Sequence, residues 1–401
     1  MLEFRAANTR SVNPRRAMLE LLEEACGTTT PSVDLLLVNA TTGHDLWTLS
    51  QVAREQCPGA QVLAASCAGV IGPSGPGESL HDLGMMAVRG PELRVSHVDL
   101  LVGETSFEKG VQLAQGLLGT PEPVRMVYLL ASGIDIANDR LLAGIESVLG
   151  PNVPVFGATS SDQMKGEATF QSIDGITYRH AAFAVGFCDP TLTVETGATH
   201  GFVAVGEPMV VTRSEGNRII ELDGRPAWPE YLHRLGLPPN ATEADTIPIG
   251  ALAEALPEDA AKIYGNPHIL RVVTHHTDAG EILYATTCAE GTRLWLTTRD
   301  EERIFNDLDR MMAGFEAVRG DRTPVAVFHA DCLARGRRLF RRVMKEELVQ
   351  RLQEPFRAQW GIPPWFGMYG FGEYAQLGGR NGYHNYTTAL AALYRREGGH
   401  G

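Results

Sequence analysis

Histidines at the ends of predicted strands and helices are the residues of this sequence most able to hold iron. The chain has 12 histidines, and a neutral imidazole is a common ligand of zinc and of haem iron. No HExxH or H-x-H spacing occurs, so a protein-held catalytic metal is not indicated. A structural, hydrogen-bonded role is the commoner one for a single histidine, and one ligating member among the whole set stays an open alternative. The candidates are His200, His233, His329 and His384.

A cysteine beside an arginine-rich segment is the best candidate for a nucleophile. Cys332 follows a predicted strand at residues 325–329, with Arg335 and Arg337 close behind, and nearby cations favour the thiolate. No local cysteine-protease signature surrounds it, and most free cysteines simply pack. An inert or ligand-facing Cys332 is therefore favoured over a catalytic one, and we do not expect an enzyme.

A carboxylate between glycines is a third candidate for binding. Glu373 ends the run Gly370-Phe-Gly-Glu373, in which glycine allows the backbone to approach a bound molecule closely. The arginines around Arg335 could hold an anion through two parallel hydrogen bonds. A structural ion pair is an equally open interpretation of these charges.

Composition excludes several function classes. The 401 residues are 44% hydrophobic and carry a formal net charge of −13, a field that repels nucleic acid and anionic membranes. Neither GxxxxGK[ST] nor GxGxxG is present, so no phosphate or dinucleotide loop is expected. The six cysteines are not closely paired, and no leader or membrane span is evident, which predicts a cytoplasmic protein with reduced thiols.

The order of apolar segments predicts an α/β fold. Four buried-looking strands near residues 33–39, 61–65, 124–130 and 153–156 alternate with helical stretches, which favours an N-terminal layered, mostly parallel sheet. From about residue 173 the pattern becomes one of hairpins, and a mixed α+β domain is predicted to follow. We place the two domains at 1–218 and 219–401, and interpret 386–396 as a helix from its periodicity.

The ordered motifs resemble the FIST sensory family. Pro154-Val-Phe-Gly157 with Ser160-Ser-Asp162 and Thr199-His-Gly201 are similar to its N-terminal domain, and Ala330-Asp-Cys332 with Gly370-Phe-Gly-Glu373 and His384-Asn385 to its C-terminal domain. The resemblance spans about residues 30 to 390. It implies a ligand-binding sensor with a pocket where the two halves meet. The ligand-binding candidates are Cys332, Arg335, Arg337, Glu373 and Asn385.

The resemblance also implies a ligand and a partner. One stand-alone branch of the family binds haem and senses nitric oxide, and regulates a separate histidine kinase in cyclic-di-GMP and biofilm signalling. No effector segment is evident here, so haem b is the leading ligand, with an axial histidine among the four named above. The alternatives are a non-haem metabolite such as an amino acid and, third, a cysteine-dependent enzyme. A homodimer is also open.

Overall fold

The chain builds one arrangement of strands and helices three times: β-α-β-α-β followed by three more strands. The computed structural model describes residues 1–27, 32–119, 121–163, 165–336, 340 and 342–396. The first copy consists of β1 (Glu3–Thr9), α1 (Pro14–Cys26), β2 (Leu35–Thr41), α2 (Leu46–Gln56), β3 (Gln61–Cys67), β4 (Gly69–Gly72), β5 (Gly75–Gly77) and β6 (Leu83–Arg89).

The second copy repeats this order without interruption. It consists of β7 (Leu93–Val98), α3 (Ser106–Gly116), β8 (Met126–Ala131), α4 (Asn138–Leu149), β9 (Val155–Thr159), β10 (Gln171–Ile173), β11 (Ile176–Tyr178) and β12 (Ala182–Phe187).

The third copy is split after its first strand, β13 (Thr193–Thr199), by an insertion at residues 202–299 that we call the inserted module. The module forms a sheet of its own. It contains β14 (Phe202–Glu215), β15 (Arg218–Leu222), β16 (Arg225–Pro226), α5 (Ala227–Leu235), α6 (Glu243–Thr246), β17 (Leu252–Ala255), α7 (Glu258–Tyr264), β18 (His268–Arg271), β19 (Val273–His276), β20 (Ile282–Tyr284) and β21 (Arg293–Arg299).

The third copy then resumes and runs to the end of the described chain. Its remaining elements are α8 (Glu301–Arg319), β22 (Arg322–Cys332), α9 (Arg342–Gln353), β23 (Trp365–Gly370), β24 (Glu373–Leu377), β25 (Arg380–His384) and β26 (Thr388–Arg396).

The three copies exchange strands in a ring. Their sheets have the orders β1-β6-β2-β3-β10-β11, β7-β12-β8-β9-β24-β25 and β13-β26-β22-β23-β4-β5. Each sheet therefore takes four strands from one copy and a two-strand hairpin from another. No copy completes its own sheet, so the copies depend on one another for their edge hydrogen bonds.

The α/β class is confirmed, with mixed sheets. Within the described chain, parallel pairing joins β2 to β3, β8 to β9 and β22 to β23, each pair through a helix crossover. The other strand pairs are antiparallel, so the expectation of a mostly parallel N-terminal sheet was wrong beyond β2–β3 and β8–β9. The physical reason is that the last strand of each copy inserts between the first two strands of that copy and runs antiparallel to both.

The strands are apolar along their whole length because alternate residues face two different buried layers. In β2, Leu35 and Leu37 face a core shared by all three sheets, whereas Leu36 and Val38 pack under α1 and α2. The same division recurs in β8 and β22. Each sheet is thus covered by helices outside and by the other two sheets inside, which buries both of its faces.

Local signals fix several helix starts. The Asn13 side chain accepts the Arg16 N–H at the start of α1, and Pro14 occupies the first turn, where it costs no hydrogen bond. Asp45 and Asp300 cap α2 and α8 in the same way. Among the described residues, no helix is both long and apolar enough to cross a bilayer.

The predicted helix at 386–396 was wrong, because this segment is the strand β26. It lies between β13 and β22 with residues 388 to 394 buried. A strand buried on both faces shows no alternation, and its alanines and leucines resemble a helix in sequence. Tertiary pairing overrides that local preference. The domain boundary predicted at 218/219 falls inside the inserted module, between β15 residues, and stays a prediction.

Candidate functional site

Polar side chains collect where β22, β24 and β25 meet the inserted module. Cys332, Glu373, His384 and Asn385 are all at most 3% exposed. They occupy the end of β22, the start of β24, and the end of β25 with the turn after it. The module covers them through α7 and β18, so the predicted residues of the C-terminal motifs do come together.

An ion pair forms one wall of this cluster. Arg335 is 2% exposed and donates from Nε to Asp331 Oδ1 at 3.1 Å and from Nη1 to the His200 carbonyl at 3.0 Å. Its guanidinium also lies over the Phe340 ring, 5.4 Å from the centroid. Arg335 is therefore held in place by Asp331, and a buried pair of this kind leaves almost no net charge.

Glu373 is the most unusual group of the cluster. It is fully buried, and neither carboxyl oxygen makes a hydrogen bond of normal geometry in the described part of the chain. Burial, and then the nearby Asp331 carboxylate, raise the pKa of Glu373 well above its usual range, and Arg335 opposes this only partly. The Thr387 backbone and the Cys332 thiol also lie close enough to lower this pKa slightly. Burial therefore favours the neutral form of this acid, and its carboxyl group without a well-formed hydrogen bond costs free energy unless something binds there.

His384 is the second unpartnered group. It is the cross-strand neighbour of Glu373, it is 3% exposed, and neither ring nitrogen makes a hydrogen bond within the described residues. The Ala375 backbone approaches the ring without hydrogen-bond geometry. Burial, and then the Arg271 charge, lower the pKa of His384 to about 3, so the imidazole is neutral. The Tyr264 ring of α7 lies 5.7 Å away, centroid to centroid.

Cys332 and Asn385 complete the wall beside Glu373. The Cys332 thiol lies 3.9 Å from the Phe371 carbonyl, and burial, followed by Glu373, raises its pKa well above the usual range. Asn385 donates to the Phe371 carbonyl at 3.1 Å and accepts the Val272 N–H of the inserted module at 3.3 Å. The thiol is thus protonated, and Arg335 is committed to Asp331 and does not activate it.

The other candidate histidines have different environments. His200 accepts the Phe202 N–H at Nδ1 (2.9 Å) and contacts the His268 carbonyl through Nε2 (3.0 Å), so both nitrogens are occupied. His329 Nδ1 accepts from the Trp365 indole at 3.3 Å and its Nε2 contacts Thr388 Oγ1 at 3.0 Å. His233 is exposed on α5. Arg337 lies outside the described residues.

These environments test the residues against haem. An axial ligand needs a neutral imidazole with a free nitrogen in a buried position. Of the four predicted histidines, His384 meets this requirement, whereas His200 and His329 would have to give up existing hydrogen bonds. Among the described residues, no group of three or more His, Cys, Asp or Glu side chains is arranged to hold a bare metal ion.

Two residues of the inserted module belong to the site and were missed from the sequence. The Tyr264 hydroxyl lies 3.2 Å from Thr387 Oγ1, and Arg271 donates from Nη1 to the Tyr383 carbonyl at 2.7 Å. Both lie in a segment without a recognisable motif, more than 100 residues before their partners. Only the packing of α7 and β18 against the β25 region in three dimensions reveals them.

A surface groove lies elsewhere and includes none of these side chains. It has a volume of about 480 Å³ and runs between α8 and α9, lined by Asp309, Met312, Ala313, Glu316, Arg351, Glu354 and Pro355. Its lining residues carry none of the unpartnered buried polar atoms of the described chain.

Comparison with known families agrees with this picture. The FIST N domain model matches residues 34–225 and the FIST C domain model matches residues 227–376. Domains of this class are sensors in signal transduction. The chain belongs to the FIST family and carries both of its domains.

Other comparisons add little. No curated protein matches the sequence. Among solved structures, a cyanuric acid hydrolase from A. caulinodans is similar over 99% of this chain and 100% of its own, at 9% identity and a TM-score of 0.38. A second cyanuric acid hydrolase structure is similar over 75% of this chain and 100% of its own, at 12% identity and a TM-score of 0.26. Both likenesses are too distant to bear on function.

Proposed function

We propose that this FIST protein senses a small amine-bearing metabolite, such as an amino acid, bound without chemical change between the inserted module and β24–β25. The observation that carries the proposal is Glu373, whose two buried carboxyl oxygens make no hydrogen bond of normal geometry in the described chain. A ligand that supplies hydrogen-bond donors would remove the cost of leaving this group unpaired.

The charges around Glu373 favour a cationic ligand head group. Asp331 is balanced by Arg335, and Arg271 by Glu254, which accepts from Nε at 3.2 Å. Ionised Glu373 would therefore leave the cluster one negative charge in excess. An ammonium group balances that charge and offers three donors, so its arrival would ionise the acid.

Cys332 and Tyr264 line this site as uncharged side chains. Burial raises the pKa of both groups, so neither is ionised at pH 7. A thiol in that state is a poor nucleophile, which supports binding over catalysis. The route to a response is the inserted module, since a ligand lying between it and the core would change how the two pack.

The binding test compares the chain with a single isosteric variant. A panel of L-amino acids is screened by thermal shift, and the best binder is titrated calorimetrically. A ligand at 100 times its Kd stabilises the folded state by about 2.7 kcal/mol. Glu373→Gln should weaken binding at least tenfold, whereas Glu258→Gln, at a side chain that is 87% exposed, should not. An unchanged affinity in Glu373→Gln would refute the site.

A second candidate ligand is haem b, favoured by the free ring nitrogens of His384. In this version His384 would be the axial ligand, and the bound iron would supply the chemistry of nitric oxide binding. The protein would then resemble the stand-alone nitric oxide sensing protein NosP and would regulate a separate histidine kinase. His384 is already neutral and buried, as an iron ligand must be.

An absorption spectrum separates the two ligands. Haem bound through His384 predicts a Soret band that shifts with nitric oxide, is lost in His384→Ala and persists in His233→Ala. A chain that retains no haem but is stabilised by an amino acid supports the first proposal. Co-purification with a sensor kinase, tested with and without the ligand found, checks the proposed cytoplasmic signalling partner.

A further inference from the structure

Arg271 is placed at the edge of the site by the inserted module. It ends β18, and its side chain is 13% exposed. Nη1 donates to the carbonyl of Tyr383, the residue before His384, and Nε donates to Glu254 of β17. These two bonds fix the plane of the guanidinium against the end of β25.

The third nitrogen of this guanidinium is uncommitted. Within the described part of the chain, Nη2 of Arg271 has no hydrogen-bond partner, and Glu254, its ion-pair partner, is 34% exposed and reaches solvent. The charge of Arg271 acts on the cluster: burial lowers the pKa of His384 and Arg271 lowers it further, whereas burial raises the pKa of Tyr264 and Arg271 partly offsets that rise. An available cationic donor therefore faces the same neighbours as Glu373.

Arg271 and Glu373 belong to two different parts of the fold that meet near His384. Glu373 is its cross-strand partner on β24, and Arg271 reaches the adjoining Tyr383 carbonyl from the inserted module. A ligand held at His384 thus meets an acid on the sheet side and an arginine on the module side. This polarity suits a molecule with an ammonium at one end and a carboxylate at the other.

We propose that Arg271 is the specificity-determining residue that binds the carboxylate of the ligand. The inference rests on the proposed amine-binding function. Arginine is suited to the task because its planar fork presents parallel donors to a carboxylate. Arg335, the arginine indicated by the sequence, makes the same two kinds of bond but is less suited, because its partner Asp331 is only 8% exposed whereas Glu254 is 34% exposed. The Phe340 ring also covers the Arg335 guanidinium.

In this proposal the core sheet and the inserted module bind different groups of the ligand. The core sheet supplies the acid that holds the amine, and the module supplies the arginine that holds the carboxylate. A ligand with both groups bridges the two parts, whereas an amine without a carboxylate contacts only the core. Zwitterions should therefore bind more tightly than the corresponding amines.

The test uses pairs of probes that differ only in the carboxylate. Histidine with histamine, and phenylalanine with phenethylamine, are titrated into the full-length chain, together with the best binder of the panel and its decarboxylated amine. The variants are Arg271→Gln, Arg271→Lys and, as a control in the same module, Arg213→Gln, whose side chain is 62% exposed. Thermal melting of each free variant confirms that it is folded.

The expected result is a selective loss. Arg271→Gln should weaken the affinity for the amino acid at least tenfold and change the affinity for the amine less than twofold. Arg271→Lys should lose part of the amino acid affinity, because lysine keeps the charge but not the planar guanidinium. Arg213→Gln should bind both ligands as the parent does. Equal weakening of amino acid and amine would overturn the inference, as would an unchanged amino acid affinity. If the parent bound neither member of any pair, the proposed function itself would fail, and this inference with it.

Discussion

Glu373 and His384 are cross-strand neighbours in the β24–β25 ladder, and they do not form an ion pair with each other. Burial raises the pKa of the acid and lowers that of the base, so each stays in its uncharged form. Removing two charges from water costs more than their attraction returns when further hydrogen bonds are lacking. The ligand proposed above would supply those bonds.

The acid should make the free protein less stable as pH rises. A carboxyl group whose folded pKa lies above its unfolded value of about 4.5 binds more protons when folded, so stability falls with pH from about 4.5 up to the folded pKa. Glu373→Gln cannot lose that proton. We expect it to be more stable than the parent at pH 8, by on the order of 1 kcal/mol, with the difference vanishing near pH 4. Urea unfolding across this range measures it, and a constant difference would contradict the account.

The base should act in the opposite pH range. His384 has a folded pKa of about 3 against an unfolded value of 6.5, so the unfolded chain takes up the proton first as pH falls. Stability is therefore lost between pH 6.5 and 3. His384→Asn should remove on the order of 2 kcal/mol of that acid loss by pH 4. His233→Asn, at an exposed histidine of α5, should leave the pH profile unchanged.

The sequence predicted the site residues that belong to the core sheets better than those that belong to the inserted module. The motifs around Cys332 and Glu373 marked strand ends in the sequence, but Cys332 ends β22 and Glu373 begins β24, which belong to two different sheets, so their proximity depends on how the sheets pack. Tyr264 and Arg271 were missed because their role depends on how an insertion folds back over β25. His200 and His329 carried the right residue type, but the hydrogen bonds that occupy them depend on partners distant in the chain.

The threefold arrangement of the fold was also hidden in the sequence. The inserted module separates β13 from the rest of the third copy, and each sheet borrows its last two strands from a different copy. Strand exchange of this kind leaves no short-range signal, because local patterns report burial and not the identity of the neighbour. The β26 segment shows the same limit, since full burial erased the alternation that marks a strand.

Replacing two helical glycines by alanine should have opposite effects on stability, one set by helix packing and the other by helix propensity. A Cβ on Gly144 of α4 would lie 2.1 Å from the Phe107 carbonyl oxygen of α3, whereas one on Gly314 of α8 would meet nothing within 4 Å. Gly144→Ala must push α3 and α4 apart and should cost on the order of 2 kcal/mol. Gly314→Ala should instead stabilise the protein by about 1 kcal/mol through helix propensity. Chemical denaturation of both variants checks the opposite signs, and two effects of the same sign would show that the close helix contact is relaxed in solution.

Buried hydrogen bonds from Leu2 and Arg395 to Asp189, which we call the clasp, join the two ends of the described chain and should stabilise the fold. The carboxylate accepts the Leu2 N–H at 2.7 Å and Arg395 Nη2 at 2.7 Å, which ties β1 to β26. Burial alone would raise its pKa, but hydrogen bonds from Thr191, Leu2 and Arg395 lower the pKa to about 2. Its contribution is therefore complete above the unfolded pKa of about 3.8 and is lost as pH falls towards 2.

Replacing this carboxylate should thus weaken the protein most at neutral pH. Asp189→Asn removes the carboxylate partner of Arg395. The arginine keeps its bonds to Thr191 and the Leu2 carbonyl and is 17% exposed. Loss of hydrogen bonds to a charged group costs about 1.5–3 kcal/mol. The loss should persist from pH 8 to pH 4 and shrink only below that, when the parent protonates as well. Asp99→Asn, at an exposed carboxylate, is the matched control. If Asp189→Asn unfolded at the same urea concentration as the parent at pH 7, the clasp would not contribute to holding the first and third copies together.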